Sequence, residues 1–377
     1  MKKVILIPDS FKGTLSSSQI CEIMRAELLR AFPSAKVLSV PVADGGEGSV
    51  DCFLSACGGE KVFIDCKGPY MEDIRAYYGV LPDGTAVVET ASAAGLPMVE
   101  GRANPLKTTT YGVGQLLLHA VKAGAKRIVL GLGGSCTNDF GCGAACACGA
   151  RFFDSEKNAF IPTGETLCRV AGMDLTGLDP AFSGVEIVAM CDVDNPPYGA
   201  QGAARVFAPQ KGADGRAVEI LDEGVRSVCA VIKKSLGLDL DGLQGGGAAG
   251  AFGAGATAFF GAKLQAGIDT VLQTVGFDGM LENADCVFTS EGKLDAQSLR
   301  GKVVVGVAKA CKRAGVPVVA VVGGADADLQ GAYEAGVTAV FPINRLPQDL
   351  SVSKRYSAEN LAFTTRNILR LMGAKKC

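Results

Sequence analysis

Residues 286–295 read Cys286-Val287-Phe288-Thr289-Ser290-Glu291-Gly292-Lys293-Leu294-Asp295. The run Cys286–Thr289 predicts a buried strand, and the charged residues after it mark the strand's exit. From this point the chain alternates. Lys302–Ala314 predicts a helix, Val316–Val322 a strand, Ala327–Ala335 a helix, Thr338–Phe341 a strand and Ala358–Met372 a closing helix. The same rhythm opens the chain: Val4–Ile7 a strand, Ser16–Ala31 a helix capped by Ser16, Ser17 or Ser18, Val37–Val40 a strand, and Glu47–Ala56 a helix. Neither end alone has enough strands for a stable sheet. Together they supply one doubly wound parallel α/β sheet built from both ends of the chain.

The middle breaks this rhythm. Lys61–Cys66, Ile74–Val80 and Thr85–Thr90 read as three short strands separated by Gly-Pro and Pro-Asp-Gly-Thr turns, which is a meander rather than a βαβ unit. A helix over Gly112–Ala123, a strand over Arg127–Leu130, a strand over Val185–Met190 and a helix over Ala217–Leu236 follow, then a glycine- and alanine-rich stretch from Gly245 to Gly267. The expected organisation is one discontinuous domain, 1–67 plus 284–377, with a second α/β domain, 68–283, inserted into it.

Composition narrows the class. At 377 residues the chain exceeds what a single core usually covers, and 48% of it is apolar. Its 50 glycines fall in separated clusters, as tight loops require, rather than in one linker-like tract. The net charge of −2 carries no block of one sign, which argues against nucleic-acid or membrane-surface partners. The apolar start Val4–Ile7 ends at Pro8-Asp9, too short for a signal-peptide core, and no stretch approaches the roughly 18 residues that span a bilayer. Most of the 14 cysteines sit in apolar segments. Cys142, Cys146 and Cys148 have no second Cys pair elsewhere to complete a zinc site, so the expectation is reduced thiols in a cytoplasmic protein.

The chemistry-bearing residues collect at strand exits, where open α/β sheets bind ligands. After the first strand stand Asp9, Ser10 and Lys12: a carboxylate able to bind metal or take a proton, and a cation for an anionic group. After the second comes Asp44-Gly45-Gly46-Glu47-Gly48, whose acids suit Mg²⁺. The strand ending at Leu130 runs into Gly131-Leu132-Gly133-Gly134-Ser135-Cys136-Thr137-Asn138-Asp139 and a short Ala/Cys-rich segment, a strand–glycine loop–helix pattern. Backbone N–H groups of such a loop approach an anion closely, and the helix N-terminus adds partial positive charge. Cys191-Asp192-Val193-Asp194 follows another strand, and extended alternation puts Asp192 and Asp194 on one side. Lys211 lies beside glycine in Pro209-Gln210-Lys211-Gly212, and Lys293 stands between Glu291 and Asp295.

Other patterns carry less. Gly245-x-Gly247-x-x-Gly250 has the letters of a dinucleotide fingerprint without the preceding strand, and no Gly-Lys pair completes a P-loop. His119, the one histidine, follows three leucines on a presumed helix and reads as structural, so a Ser-His-Asp mechanism has little support.

In this order the motifs Asp9–Thr14, Asp44–Gly48, Gly131–Asp139, Cys191–Pro196, Pro209–Ala213 and Glu291–Asp295 resemble those of the glycerate kinase family, the bacterial type sometimes called type I, over essentially the whole chain. The resemblance implies ATP-dependent phosphorylation of D-glycerate, with 2-phospho-D-glycerate favoured over 3-phospho-D-glycerate. It also implies a flavodoxin-like domain, an inserted domain of restriction-enzyme-like topology, and a reaction in a cleft between them. In that reading Lys12, Lys211 and Lys293 neutralise phosphate. Gly133, Gly134 and Ser135 supply donors, and Asp44, Asp192 or Asp194 hold Mg²⁺ or accept the hydroxyl proton. Asp9, Ser10, Gly45, Gly46, Thr137, Asn138, Glu291 and Asp295 complete the binding surface. The alternatives are a kinase for another small hydroxy acid and a non-catalytic protein that binds phosphorylated acids. The sequence specifies no oligomeric state.

Overall fold

The structure is a computed structural model that describes residues 1–43, 45–295, 298, 302–346 and 348–373. The chain divides into two compact units, Met1–Ala43 with Ser55–Cys57 and Ala266–Cys377, and Asp44–Leu54 with Gly58–Gln265.

The first unit is built on a five-stranded parallel sheet. Across it the strands run Lys36–Ser39, Lys3–Pro8, Cys286–Ser290, Val318–Val322 and Ala339–Pro342. In chain order that is 2-1-3-4-5, the flavodoxin-like arrangement. Strand Lys3–Pro8 is buried from Val4 to Ile7, and Val318–Val322 is buried throughout, which explains their unbroken apolar sequences. Helix Ser17–Ala31 starts at Ser16, where a capping box pairs the Ser16 hydroxyl with the Gln19 N–H and the Gln19 amide oxygen with the Ser16 N–H. It buries Ile20, Met24 and Leu28, one residue per turn. It also buries Glu27, which accepts two hydrogen bonds from Arg366 on helix Ser357–Gly373. Those bonds to Arg366 lower the Glu27 pKa. The expected helix over Ala327–Ala335 forms only over Gln330–Ala335, because Asp328 accepts the Gln330 N–H and starts it late.

The second unit holds a six-stranded mixed sheet in the order Lys263–Gln265, Glu186–Met190, Arg127–Gly131, Ala86–Glu89, Asp73–Val80, Glu60–Lys67. The first four are mutually parallel; the last two add antiparallel strands as the predicted meander. The placement of Glu60–Lys67 departs from the boundary expected at 67. The strand pairs with Asp73–Val80 along its whole length, from Glu60 opposite Val80 to Lys67 opposite Asp73. Conversely, helices Gly267–Thr274 and Phe277–Leu281 lie in the first unit rather than in a domain ending at 283.

The glycine- and alanine-rich stretch contains a helix, Ala248–Phe260, whose Phe252 and Phe259 are buried. Its sequence hides it because few bulky side chains mark its faces. Near its start Ala249, Gly250 and Ala251 all adopt left-handed φ values, an uncommon run for non-glycine residues. A small sheet of Arg151–Phe153, Ala159–Phe160 and Gly172–Asp174 has strands too short to show a period in the sequence. Among the described residues no helix is long and apolar enough to cross a membrane.

Candidate functional site

Three parallel strands of the second unit end at one level: Glu89 and Met190 both stand in register with Gly131. The loops leaving these ends surround a pocket of about 240 Å³. Its lining includes Gly46, Gly133, Gly134, Ser135, Asp192 and Lys211. Gly46, residues 132–135, residues 191–193 and Lys211, far apart in sequence, are therefore neighbours for a topological reason. Each follows or packs against the carboxyl end of a parallel strand.

Backbone contact fixes the pocket's floor. The Gly133 N–H donates to the Gly45 carbonyl at 2.9 Å, and a Cβ on Gly133 would stand 2.7 Å from the Gly46 Cα. Only glycine allows that approach. The contact also revises the expectation for Gly133: its N–H is committed within the fold. The N–H groups of Gly134 and Ser135 have no backbone acceptor among the described residues.

Lys211 is 3% exposed. Its ammonium donates to Ser135 Oγ at 2.9 Å and to the Thr137 carbonyl at 2.7 Å, both neutral acceptors, and among the described residues it forms no ion pair. Burial pushes its pKa down from 10.5 to about 8, against smaller opposing effects from Cys136 and Asp139. A buried cation with no bonded counter-charge, at a pocket wall, is set up to gain from an anionic ligand.

The helix expected to offer its N-terminus to that ligand does not do so. Helix Cys142–Ala147 receives an anion from its own chain. Fully buried Asp139 accepts from Gly141 N–H at 3.1 Å and Gly143 N–H at 3.3 Å, and also from the Thr110 N–H and the Thr109 and Thr110 hydroxyls. Asp139 therefore organises the loop from behind. Thr137 and Asn138 are likewise fully buried and outside the pocket lining. Thr137 Oγ1 and both polar atoms of the Asn138 amide lack partners among the described residues, which is uncommon for buried polar groups.

Asp192 and Asp194 are both exposed, and Asp192 lines the pocket. Asp44, a predicted acid or metal ligand, lies outside the described residues. Among the described residues no group of three or more His, Cys, Asp or Glu side chains could hold a metal ion. The donor set around the pocket is thus a solvent-facing carboxylate, suited to Mg²⁺ that keeps its waters and arrives on a phosphate, rather than a closed protein cage.

The remaining predicted residues gather in the first unit. Strands Lys3–Pro8 and Cys286–Ser290 are parallel neighbours, so Asp9 and Glu291 leave the sheet side by side. The Asp9 N–H donates to the Ser290 carbonyl, and the Ser290 hydroxyl to the Asp9 carbonyl, each at 2.9 Å. Asp9 and Ser10 are half-buried and Lys12 is exposed. Glu291 is 4% exposed and its Oε1 has no partner among the described residues. Burial raises its pKa to about 7, Asp9 and Asp295 add to the rise, and Ser298 and Lys302 oppose it. Lys293 is exposed and bound at 2.8 Å to Asp326, a partner that sequence reading missed, with Asp295 at 3.8 Å. Asp326 reaches it because Lys293–Leu294 and Gly324–Ala325 pair as two short parallel strands.

The other motifs resolve as structure. His119 Nδ1 shares a 2.9 Å hydrogen bond with the Tyr78 hydroxyl. No strand precedes the Gly245–Gly250 pattern, and Gly250 is required there by close packing: a Cβ would stand 2.1 Å from the Thr137 carbonyl. Cys142 and Cys148 are buried, and burial raises the pKa of the Cys142, Cys146 and Cys148 thiols, so they behave as small apolar side chains.

Comparison with known proteins identifies the family. The sequence profile of the glycerate kinase family matches residues 4–373. The chain is 40% identical over 368 residues to a glycerate kinase of Bacillus subtilis, covering 97% of this chain and 96% of that one. It is 38% identical over 368 residues to the glycerate 2-kinase of Escherichia coli, covering 97% of each. A crystal structure of a candidate glycerate kinase 2 from Salmonella typhimurium LT2 superimposes with a TM-score of 0.86 at 37% identity, covering 98% of each chain. The chain is a kinase and belongs to the glycerate kinase family.

Proposed function

We propose that the chain transfers the terminal phosphoryl group of ATP to D-glycerate, that the product is 2-phospho-D-glycerate, and that the pocket around Lys211 receives one of the two anionic substrates. The observation that carries this reading is Lys211 itself: buried, lining the pocket, and bonded only to neutral oxygens among the described residues. Phosphoryl transfer needs little covalent chemistry from a protein and depends on positioning and charge neutralisation. Lys211, the Ser135 hydroxyl and the N–H groups of Gly134 and Ser135 supply donors suited to phosphate or to the glycerate carboxylate.

Asp192 is proposed as the carboxylate that meets Mg²⁺ or takes the hydroxyl proton, with Asp194 and Asp44 as the other acids of the sequence reading. Bound Mg²⁺ would neutralise charge on the phosphate oxygens. In the first unit, Asp9, Ser10, Lys12, Glu291, Lys293 and Asp295 are proposed as the second group of binding residues. Lys293 is the weaker of its cations because Asp326 already offsets its charge. The two units are taken as the discontinuous and the inserted domain, and a cytoplasmic setting accords with the free thiols found at the thirteen cysteines described.

Attack by the 2-hydroxyl is favoured by the name of the Escherichia coli relative, glycerate 2-kinase. The test is glycerate- and Mg²⁺-dependent ADP formation followed by phosphorus NMR of the product. A phosphorus signal split into a doublet by the single C2 proton is expected. A triplet from the C3 methylene would reassign the hydroxyl, and absence of glycerate-dependent ADP would contradict the proposal.

A further inference from the structure

Glu89 was not among the residues marked by sequence, and it sits at a revealing point. It ends strand Ala86–Glu89 in register with Gly131, where the glycine loop of the pocket begins. It is 1% exposed. Its carboxylate accepts the Val50 N–H, and the Gly48 N–H lies near enough to favour its charged form. These belong to the start of helix Ser49–Cys57, whose N-cap, Gly48, has no side chain with which to cap it. The missing cap is thus supplied from the sheet, by a negative charge at the positive end of the helix dipole.

The helix start carries the loop that floors the pocket. The Ser49 hydroxyl donates to the Gly46 carbonyl at 2.7 Å, Gly46 lines the pocket, and the preceding Gly45 carbonyl takes the Gly133 N–H. We propose that Glu89 is a positioning residue for the pocket: by holding Gly48–Val50 it fixes the Gly45–Gly46 loop against the Gly131–Ser135 loop at the spacing the bound anion requires. The inference rests on the reading of that pocket as a substrate site.

Protonation weakens this tether, since a neutral carboxyl is a poorer acceptor for an N–H group than a carboxylate. Burial raises the Glu89 pKa from 4.5 to about 7, the Val50 and Gly48 N–H groups lower it, and Asp51 on the capped helix raises it. Lys61 on strand Glu60–Lys67 lowers it, and Tyr77 on strand Asp73–Val80 also faces the carboxylate, with Glu47 facing Tyr77 in turn. The tether is therefore strongest above pH 7 and lost below it.

The test uses the full chain with Glu89→Ala and Glu89→Gln, measuring KM for each substrate, kcat and the melting temperature. Glu89→Ala is expected to raise KM about tenfold for whichever substrate the pocket holds, with a smaller change in kcat and the other KM unchanged. Glu89→Gln, which keeps an acceptor oxygen but carries no charge, should hold KM near the wild-type value at pH 6 and abolish the wild-type rise in KM between pH 8 and pH 6. A merely structural role would lower the melting temperature and the active fraction while leaving both KM values alone, and that result overturns the proposal. So does a Glu89→Gln pH profile identical to wild type, a readout that survives even if Glu89→Ala fails to fold. If Ser135→Ala leaves both KM values unchanged as well, the pocket reading falls with it.

Discussion

The Lys211 ammonium lies 2.9 Å from Ser135 Oγ, so a cation from one loop is held by the hydroxyl of the glycine loop that faces it. A hydrogen bond to a charged group is worth on the order of 1.5–3 kcal/mol, or about 10- to 100-fold in an equilibrium or rate. The Thr137 carbonyl remains as a second anchor. Ser135→Ala is therefore expected at the lower end, with kcat/KM reduced about tenfold and folding preserved. Steady-state kinetics with a melting curve on the same preparation checks both halves.

The state of Lys211 sets an alkaline limb. Its pKa near 8 leaves the free enzyme's ammonium charged below pH 8 and neutral above it. Accordingly kcat/KM should fall as pH rises through about 8. A bound anion favours the charged form, so the limb in kcat should appear at higher pH. Stability moves the other way. Between about pH 8 and 10.5 the unfolded chain binds a proton the folded chain does not, so this group's contribution to stability increases with pH across that window. Parallel pH series of activity and of urea unfolding separate the two trends.

Much of this was legible because parallel sheets write their own punctuation. Val4–Ile7 and Cys286–Phe288 are unbroken apolar runs, and the acids and glycines after each mark an exit. That Asp9 and Glu291 would emerge together required only the assumption that both ends share one sheet, and strand register delivers it. What escaped was long-range. Asp139 reads in sequence like a group offered to a ligand, and only the positions of Thr110 and Gly143 reveal it as the internal counter-charge of its own helix. Glu89 sits in Val-Val-Glu-Thr, with nothing local to suggest that Val50 would be its partner. Asp326 is 33 residues from the lysine it binds, just after a two-residue strand too short for any periodicity.

The central claim is that the buried ammonium of Lys211 binds the reacting anion, and Lys211→Met tests it most directly. The substitution keeps much of the side chain's bulk and removes the charge. Loss of a single preorganised donor commonly lowers kcat by about 100- to 1,000-fold. Glycerate-dependent ADP formation per folded molecule should drop by at least about 100-fold, with the melting transition still cooperative. A folded Lys211→Met enzyme that works within a few-fold of wild type would contradict the account.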